Sequence, residues 1–338
     1  MKRRALGRSG ISVSEIGLGT MTFGSMLDEP SARKTLDKAF DAGVDFLDVA
    51  EIYPVPPEPK WAGVSEEICG RWMSGRPRDS VVIATKVAGP SDGWFRAPVR
   101  SGKTALDRHS INRAVEESLR RLDTDYIDLY QTHWPDPATP IEDTLEALDR
   151  LIEEGKVRAV GCSNENTYGL MKNLWTADRL GTARYQTIQN NFSLLSRRFE
   201  DELADACRRE KVSLLPYSPL AGGVLSGKYQ GGAWPADARF SYYREYDPRT
   251  QRMTKRFINE RTLASTERLS ALAAECGMSL VTFSIAWTLT RDFVGSTLVG
   301  VSQIDQLDEH LAASNAVISD VILEACDEIW KEIRYPME

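Results

Sequence analysis

The chain has 338 residues, 42% of them hydrophobic and 27% charged, with a formal net charge of −7. This is an ordinary globular balance in a chain long enough to bury a large core. The negative charge argues against a broad nucleic-acid or anionic-membrane surface, while leaving room for a local basic pocket that holds a phosphate.

The start, MKRRALGRSG, is basic but lacks a following apolar stretch, and no apolar run is long enough to span a bilayer. Neither a secretion signal nor a membrane segment is expected. Arg4 to Glu15, with turn residues around Gly7–Gly10, reads as a β-hairpin. Short apolar strands then alternate with amphipathic helices. The expected strands are Glu15–Leu18, Asp45–Val49, Val81–Thr85, Tyr126–Thr132, Val157–Gly161, Gln186–Gln189, Val212–Pro216 and Ser296–Val299. Helical patterns cover Ser31–Ala42, Ser65–Met73, Ile111–Leu122, Ile141–Glu154, Glu165–Leu180 and Phe199–Arg209. Four more cover Asn259–Cys276, Ser279–Thr290, Ser302–Ala312 and Ser319–Ile333.

Eight strand–helix units predict an α/β fold of the closed (α/β)8 TIM-barrel type, taken as a single domain over 1–338. An open doubly wound sheet is the alternative, but no GxGxxG joins a first strand to a helix, so a nicotinamide cofactor would not be held in the Rossmann manner. Three segments are long and turn-rich: the proline-rich Pro54–Val64, Val87–Asp107 with Trp94 and Phe95, and Gly222–Ile258. All three follow strands, which in a barrel puts them on the C-terminal, catalytic face.

The five cysteines, Cys69, Cys162, Cys207, Cys276 and Cys326, are scattered and odd in number and form no CxxC pair. They read as reduced thiols of a cytoplasmic protein. The three histidines, His109, His133 and His310, make no metal-ligand cluster.

Asp48, Lys86 and His133 lie at or just past the ends of three successive strands, and Tyr53 follows Asp48 by five positions. In a barrel these ends share one mouth. A hydride arriving at a carbonyl carbon leaves charge on oxygen, and a tyrosine can donate the proton there. A neighbouring lysine would lower its pKa of about 10 by stabilising the phenolate. Asp48 would pair with Lys86, and His133 would orient the carbonyl. Singly, each residue has a commoner structural reading: a helix cap, a solvated lysine, a hydrogen-bonded histidine. Four together at one end of consecutive strands favour chemistry.

The pattern DVAEIY with Lys86 and His133 resembles the aldo/keto reductases. So do GLGTMTFG (17–24), LDTDYIDLYQTHW, GKVRAVGCSN, YSPLAGGVLSGKY and LVGVSQIDQLDEH. Together they run through nearly the whole chain. VAEIYPVPPEP and THWP look closest to the Tas-like bacterial branch and are similar to the β subunits of voltage-gated potassium channels. The resemblance implies an (α/β)8 barrel binding NADP(H) in extended form, and a small-molecule carbonyl substrate. It makes Tyr53 the proton donor, supported by Lys86 and Asp48, with His133 on the substrate oxygen. It puts Ser163, Asn164 and Gln189 on the nicotinamide carboxamide and Tyr217 against the ring, with Thr20 and Met21 nearby. Ser218, Pro219, Leu220, Ala221 and Gly222 would supply backbone N–H groups to the pyrophosphate. Lys228 and Arg239 would meet the phosphates, and Ser302, Gln306, Glu309 and His310 would surround the adenosine.

The last motif departs from many members, with Gly300 and Gln306 where lysine and arginine are common, and His310 where asparagine is common. The burden of a 2′-phosphate thereby shifts to Lys228 and Arg239. Trp134, and less securely Trp61 and Trp94, could wall an apolar substrate pocket.

Two other readings stand beside the reductase. One is an NADPH-binding redox sensor with slow turnover that acts through a protein partner. The other is a metal-dependent barrel hydrolase, which lacks its ligand cluster.

Overall fold

The computed structural model describes residues 1–90 and 104–337. The hairpin forms as expected: β1 (Arg3–Ala5) pairs antiparallel with β2 (Ser12–Ser14). Eight parallel strands follow, β3 (Ile16–Gly19), β4 (Phe46–Asp48), β5 (Val82–Val87), β6 (Ile127–Thr132), β7 (Val157–Ser163), β8 (Thr187–Gln189), β9 (Ser213–Leu214) and β10 (Thr297–Val299), in the spatial order β10-β3-β4-β5-β6-β7-β8-β9. Backbone bonds then join the two outer strands. Leu214 N donates to Phe293 O and Gly295 N to Leu214 O, both at 2.8 Å, and Leu298 N donates to Pro216 O at 2.9 Å. The sheet closes, so it has no free edge.

Helices α1 (Glu29–Asp41), α2 (Val64–Met73), α3 (Arg108–Leu122), α4 (Ile141–Glu153), α5 (Thr167–Leu180) and α6 (Leu203–Glu210) fill the connections up to β9. Their starts are written locally. The Asp28, Asp107 and Asn166 side chains accept from the backbone N–H groups of Ser31, Ser110 and Gly169. The Asp28 cap, with Pro30 in the first turn, starts α1 two residues before the expected Ser31.

The third long segment departs from expectation. It carries two helices, α7 (Arg239–Tyr246) and α8 (Pro248–Phe257), which the sequence reading took as loop. Asp247 and Thr250 form a reciprocal capping box with Pro248 at the first helical position, a local start signal masked by the surrounding Arg, Gly and Tyr. Helices α9 (Glu260–Glu275) and α10 (Leu280–Leu289) lead to β10, and α11 (Gln306–Ala312) and α12 (Asp320–Glu332) follow it. The expected helix from Ser302 begins only at Gln306, with Asp305 rather than Ser302 as its N-cap.

Two buried layers follow from strand alternation. Phe46, Val82, Ala84, Leu129, Ala159 and Leu298 face the barrel axis, where Leu6, Ile11 and Val13 of the hairpin join them and plug the floor. Leu47, Ile83, Val87, Tyr130, Val160 and Ile188 face the helices. The side chains at the upper end of the axis are polar, and they form the site.

Candidate active site

Strand parity decides which side chains reach the mouth. In β4 Phe46 points inward, so Asp48 does too; in β5 Val82 and Ala84 point inward, so Lys86 does. Leu129 carries Gln131 with it in β6, and His133 N donates to Val87 O at 2.9 Å, extending the ladder one residue beyond that strand.

Lys86 is fully buried. Its Nζ donates to Asp48 Oδ2 at 2.6 Å, to Val49 O at 2.8 Å and to Tyr53 Oη at 3.4 Å. Those three acceptors match the three hydrogens of an ammonium. Tyr53 packs with Ala50, Ile52 and Ala88, with Met21, Val55 and Trp134 against them. The proline-rich segment pins it: Val55 N donates to Met21 O at 2.9 Å and Gly63 N to Tyr53 O at 3.0 Å. Gly63 has φ +86°, and a Cβ there would lie 2.5 Å from Arg121 Cδ, so the return to α2 requires glycine. The His133 ring stands edge-on to Tyr53, centroids 5.8 Å apart, and 4.7 Å from the Trp134 ring, whose Nε1 donates to Pro90 O at 2.8 Å.

On the opposite side of the mouth, Ser163 Oγ donates to Gln189 O at 2.7 Å, Asn164 Nδ2 to His133 O at 2.8 Å and Tyr217 Oη to Asn164 Oδ1 at 2.8 Å. The loop beyond β9 turns through left-handed conformations at Ser218, Ala221, Gly222 and Gly223. A Cβ on Gly223 would come within 3.1 Å of Lys228 Cε, so the lysine stem lies along the bare glycine backbone. Burial and the nearby Arg239 push the Lys228 ammonium below its usual pKa. Two neighbouring cations, one of them lying along half-buried glycine turns, suit an anion such as a pyrophosphate.

The aldo/keto reductase family pattern matches residues 15–331. The chain belongs to the aldo/keto reductase family. It is 37% identical to protein tas of Escherichia coli over 99% of both chains. It is 33% identical to an uncharacterized oxidoreductase of Bacillus subtilis, YrpG, over 98% of this chain and 96% of that one. A probable voltage-gated potassium channel subunit beta of Oryza sativa subsp. japonica is 33% identical over 94% of this chain and 92% of its own. Membership brings oxidoreductase chemistry on small carbonyl compounds with a nicotinamide cofactor. No single helix among the described residues is long and apolar enough to cross a membrane.

In this aldo/keto reductase the electrostatics correct one expectation. Lys86 does not bring the Tyr53 phenol down: burial first, and then the Asp48 charge, hold it well above 10. Lys86 stands nearer Asp48 than Tyr53, and the carboxylate cancels much of its field. Burial also holds the Lys86 ammonium below its usual value, against the pull of Asp48. Burial, and then Lys86, keep the His133 imidazole well below 6.5, so it is neutral at pH 7. A phenol and a neutral imidazole are both N–H or O–H donors toward a carbonyl oxygen.

Several side chains sit differently from a simple cofactor-lining picture. Thr20 is fully buried, its Oγ1 donating to Asp48 O at 3.0 Å and 2.7 Å from Ser65 Oγ, so it braces the strand end while Met21 packs at the mouth. Gln189 Nε2 donates to Asp48 Oδ1 at 2.8 Å. Ser302 N donates to Gln306 Oε1 at 3.0 Å, tying those two together before α11. Glu309 is exposed, whereas His310 is buried, its imidazole pushed down to about 4. Trp94 lies outside the described residues.

Gln131 was missed by sequence reasoning. Its Nε2 donates to Asp48 Oδ1 at 3.3 Å, and its Oε1 accepts from Gln189 Nε2 at 3.4 Å. The signal was present, because Gln131 shares a strand face with His133. Also missed was a buried outer brace, in which Glu66 accepts from Thr85 Oγ1 at 2.5 Å and from Arg121 Nε at 2.6 Å.

Proposed function

We propose that this protein reduces an aldehyde or ketone to an alcohol with NADPH, Tyr53 acting as general acid. The observation that carries the reading is the buried Lys86 ammonium, bonded at once to Asp48 and to the Tyr53 hydroxyl. When bound, NADPH supplies the hydride. Tyr53 gives its proton to the carbonyl oxygen, and the phenolate left behind faces Lys86, which Asp48 keeps charged. His133, neutral, donates a hydrogen bond to the same oxygen and orients it, and Trp134 walls the pocket.

On the cofactor side, Ser163, Asn164 and Gln189 serve the carboxamide and Tyr217 the ring. The turns from Ser218 through Pro219, Leu220 and Gly222 offer N–H groups to the pyrophosphate. Lys228 and Arg239 take the phosphates, the 2′-phosphate included, which favours NADPH over NADH. Ser302, Gln306, Glu309 and His310 lie around the adenosine. The five free cysteines, four of them buried, fit a reducing cytoplasm.

The test joins binding to turnover. Tyr53→Phe should bind NADPH as the parent does in a fluorescence titration and lose turnover by two orders of magnitude or more with a good aldehyde. Full activity in that variant refutes the acid assignment. Similarity to a probable channel β subunit favours one alternative, a tight NADPH holder that acts through a partner. A stoichiometric partner with negligible turnover on a broad carbonyl panel would establish it.

A further inference from the structure

Helix α5 packs between α4 and α6 and buries Leu170, Asn173, Leu174, Thr176 and Ala177. Its outer side carries Tyr168 and Trp175, 75% and 55% exposed, the two most exposed aromatic side chains among the described residues. At about 3.6 residues per turn, Tyr168, Lys172, Trp175 and Arg179 fall on one stripe about 16 Å long.

The stripe alternates aromatic and cation. Lys172 Nζ lies 4.5 Å from the Trp175 ring centroid and the Arg179 guanidinium 5.4 Å from it, yet Trp175 stays more than half exposed. Tyr, Trp and Arg are the side chains that anchor association surfaces. The neighbouring helix α4 supplies acids at its start: Glu142 takes Arg179 at 2.7 Å, and Asp143 and Glu146 are exposed.

The order of the stripe points to what covers it. Tyr168 and Arg179 are equally far from its midpoint, and so are Lys172 and Trp175. When two copies of α5 meet antiparallel across a two-fold axis, every aromatic faces a cation: Tyr168 against the partner's Arg179, and Lys172 against the partner's Trp175. A two-fold interface uses one patch twice, so that patch must complement itself. Cation–π contacts also strengthen as water leaves them. The acids of α4 and its copy offset the cations brought together. An anionic surface would be served by cations in any order, whereas a second copy needs this one.

We propose that this protein forms a two-fold dimer through the outer stripe of α5. The test is sedimentation velocity on the full chain over about 1–100 µM. The parent should dimerise with a micromolar Kd, as suits a modest interface. Trp175→Lys sets lysine against lysine at two symmetric places and should weaken association about tenfold or more. Adding Lys172→Trp exchanges the two residues and again gives each aromatic a cation, so the double variant should recover dimer formation. At concentrations where all three are monomers, they should share one circular-dichroism spectrum, because the stripe faces outward.

A parent that stays monomeric throughout that range overturns the dimer, whether or not it binds vesicles containing phosphatidylserine. Dimers untouched by Trp175→Lys lie on another face and overturn the role of α5. Loss in the single variant without recovery in the double one overturns the antiparallel pairing.

Discussion

Lys86 donates to Asp48 across 2.6 Å in a space closed to water, and the pair anchors everything else at the mouth. Each charge is held by the other, and Gln131 and Gln189 fasten the second oxygen of Asp48. Removing either partner strands the other in a place where an isolated charge is costly.

Asp48→Asn keeps the shape and removes the charge. It should lower stability by about 3–5 kcal/mol in urea denaturation, the range for a broken buried pair. It should also shift the alkaline fall of any remaining activity to lower pH, because Lys86 loses the charge that favours its ammonium form. A loss under ~1 kcal/mol would mean that the pair is not buried as described.

The pH profile follows from three shifts. Tyr53 keeps its proton past pH 10, so loss of that proton does not end reduction in the alkaline range. Lys86 lies below its usual value, and its deprotonation sets the alkaline limb. His133 is already neutral well below 6.5. The kcat/KM for reduction should therefore be level from about pH 6.5 upward, near the ordinary histidine range, and fall before Tyr53 titrates. An acid limb in that range, abolished in His133→Gln, would contradict a neutral His133.

Gln131 acts through Asp48 and is a positioning residue. Gln131→Met should lower kcat about fivefold, the worth of roughly one hydrogen bond, with KM and NADPH affinity unchanged. The alkaline limb should move down, as Asp48 holds Lys86 less firmly. Stability loss with an unmoved pH profile would assign Gln131 to packing alone.

His310 gives an acid-stability prediction. Its folded value of about 4 lies below the free histidine value, so the unfolded chain binds the proton first as pH falls below about 6.5. The contribution is fully present above that pH and is lost progressively toward pH 4, reaching about 2 kcal/mol by pH 5. His310→Asn should narrow the difference in unfolding free energy between pH 7.5 and pH 5 by that order. An unchanged difference would show that His310 titrates normally.

Much of the fold was legible because its signals are local. The caps at Asp28, Asp107 and Asn166, the hairpin glycines and the eight apolar strands each follow from neighbouring residues. Helices α7 and α8 were not, because a capping box inside a turn-rich run is weak evidence until the helices pack. Three of the tetrad's positions could be read from strand ends, and Gln131 from strand parity. The direction of the Tyr53 shift could not, since it depends on how deeply the phenol is buried and which oxygen Lys86 approaches more closely.

The sequence by itself determined the repeating strand–helix order, the chemical types at the strand ends and the absence of a Rossmann fingerprint. Each depends on residues near one another in the chain. Tertiary structure alone decided that Asp48 is shared among Lys86, Gln131 and Gln189. It also decided that Thr20 braces a strand end. Closing the barrel brings these groups together from distant segments, and the exclusion of water around them then sets which charges survive.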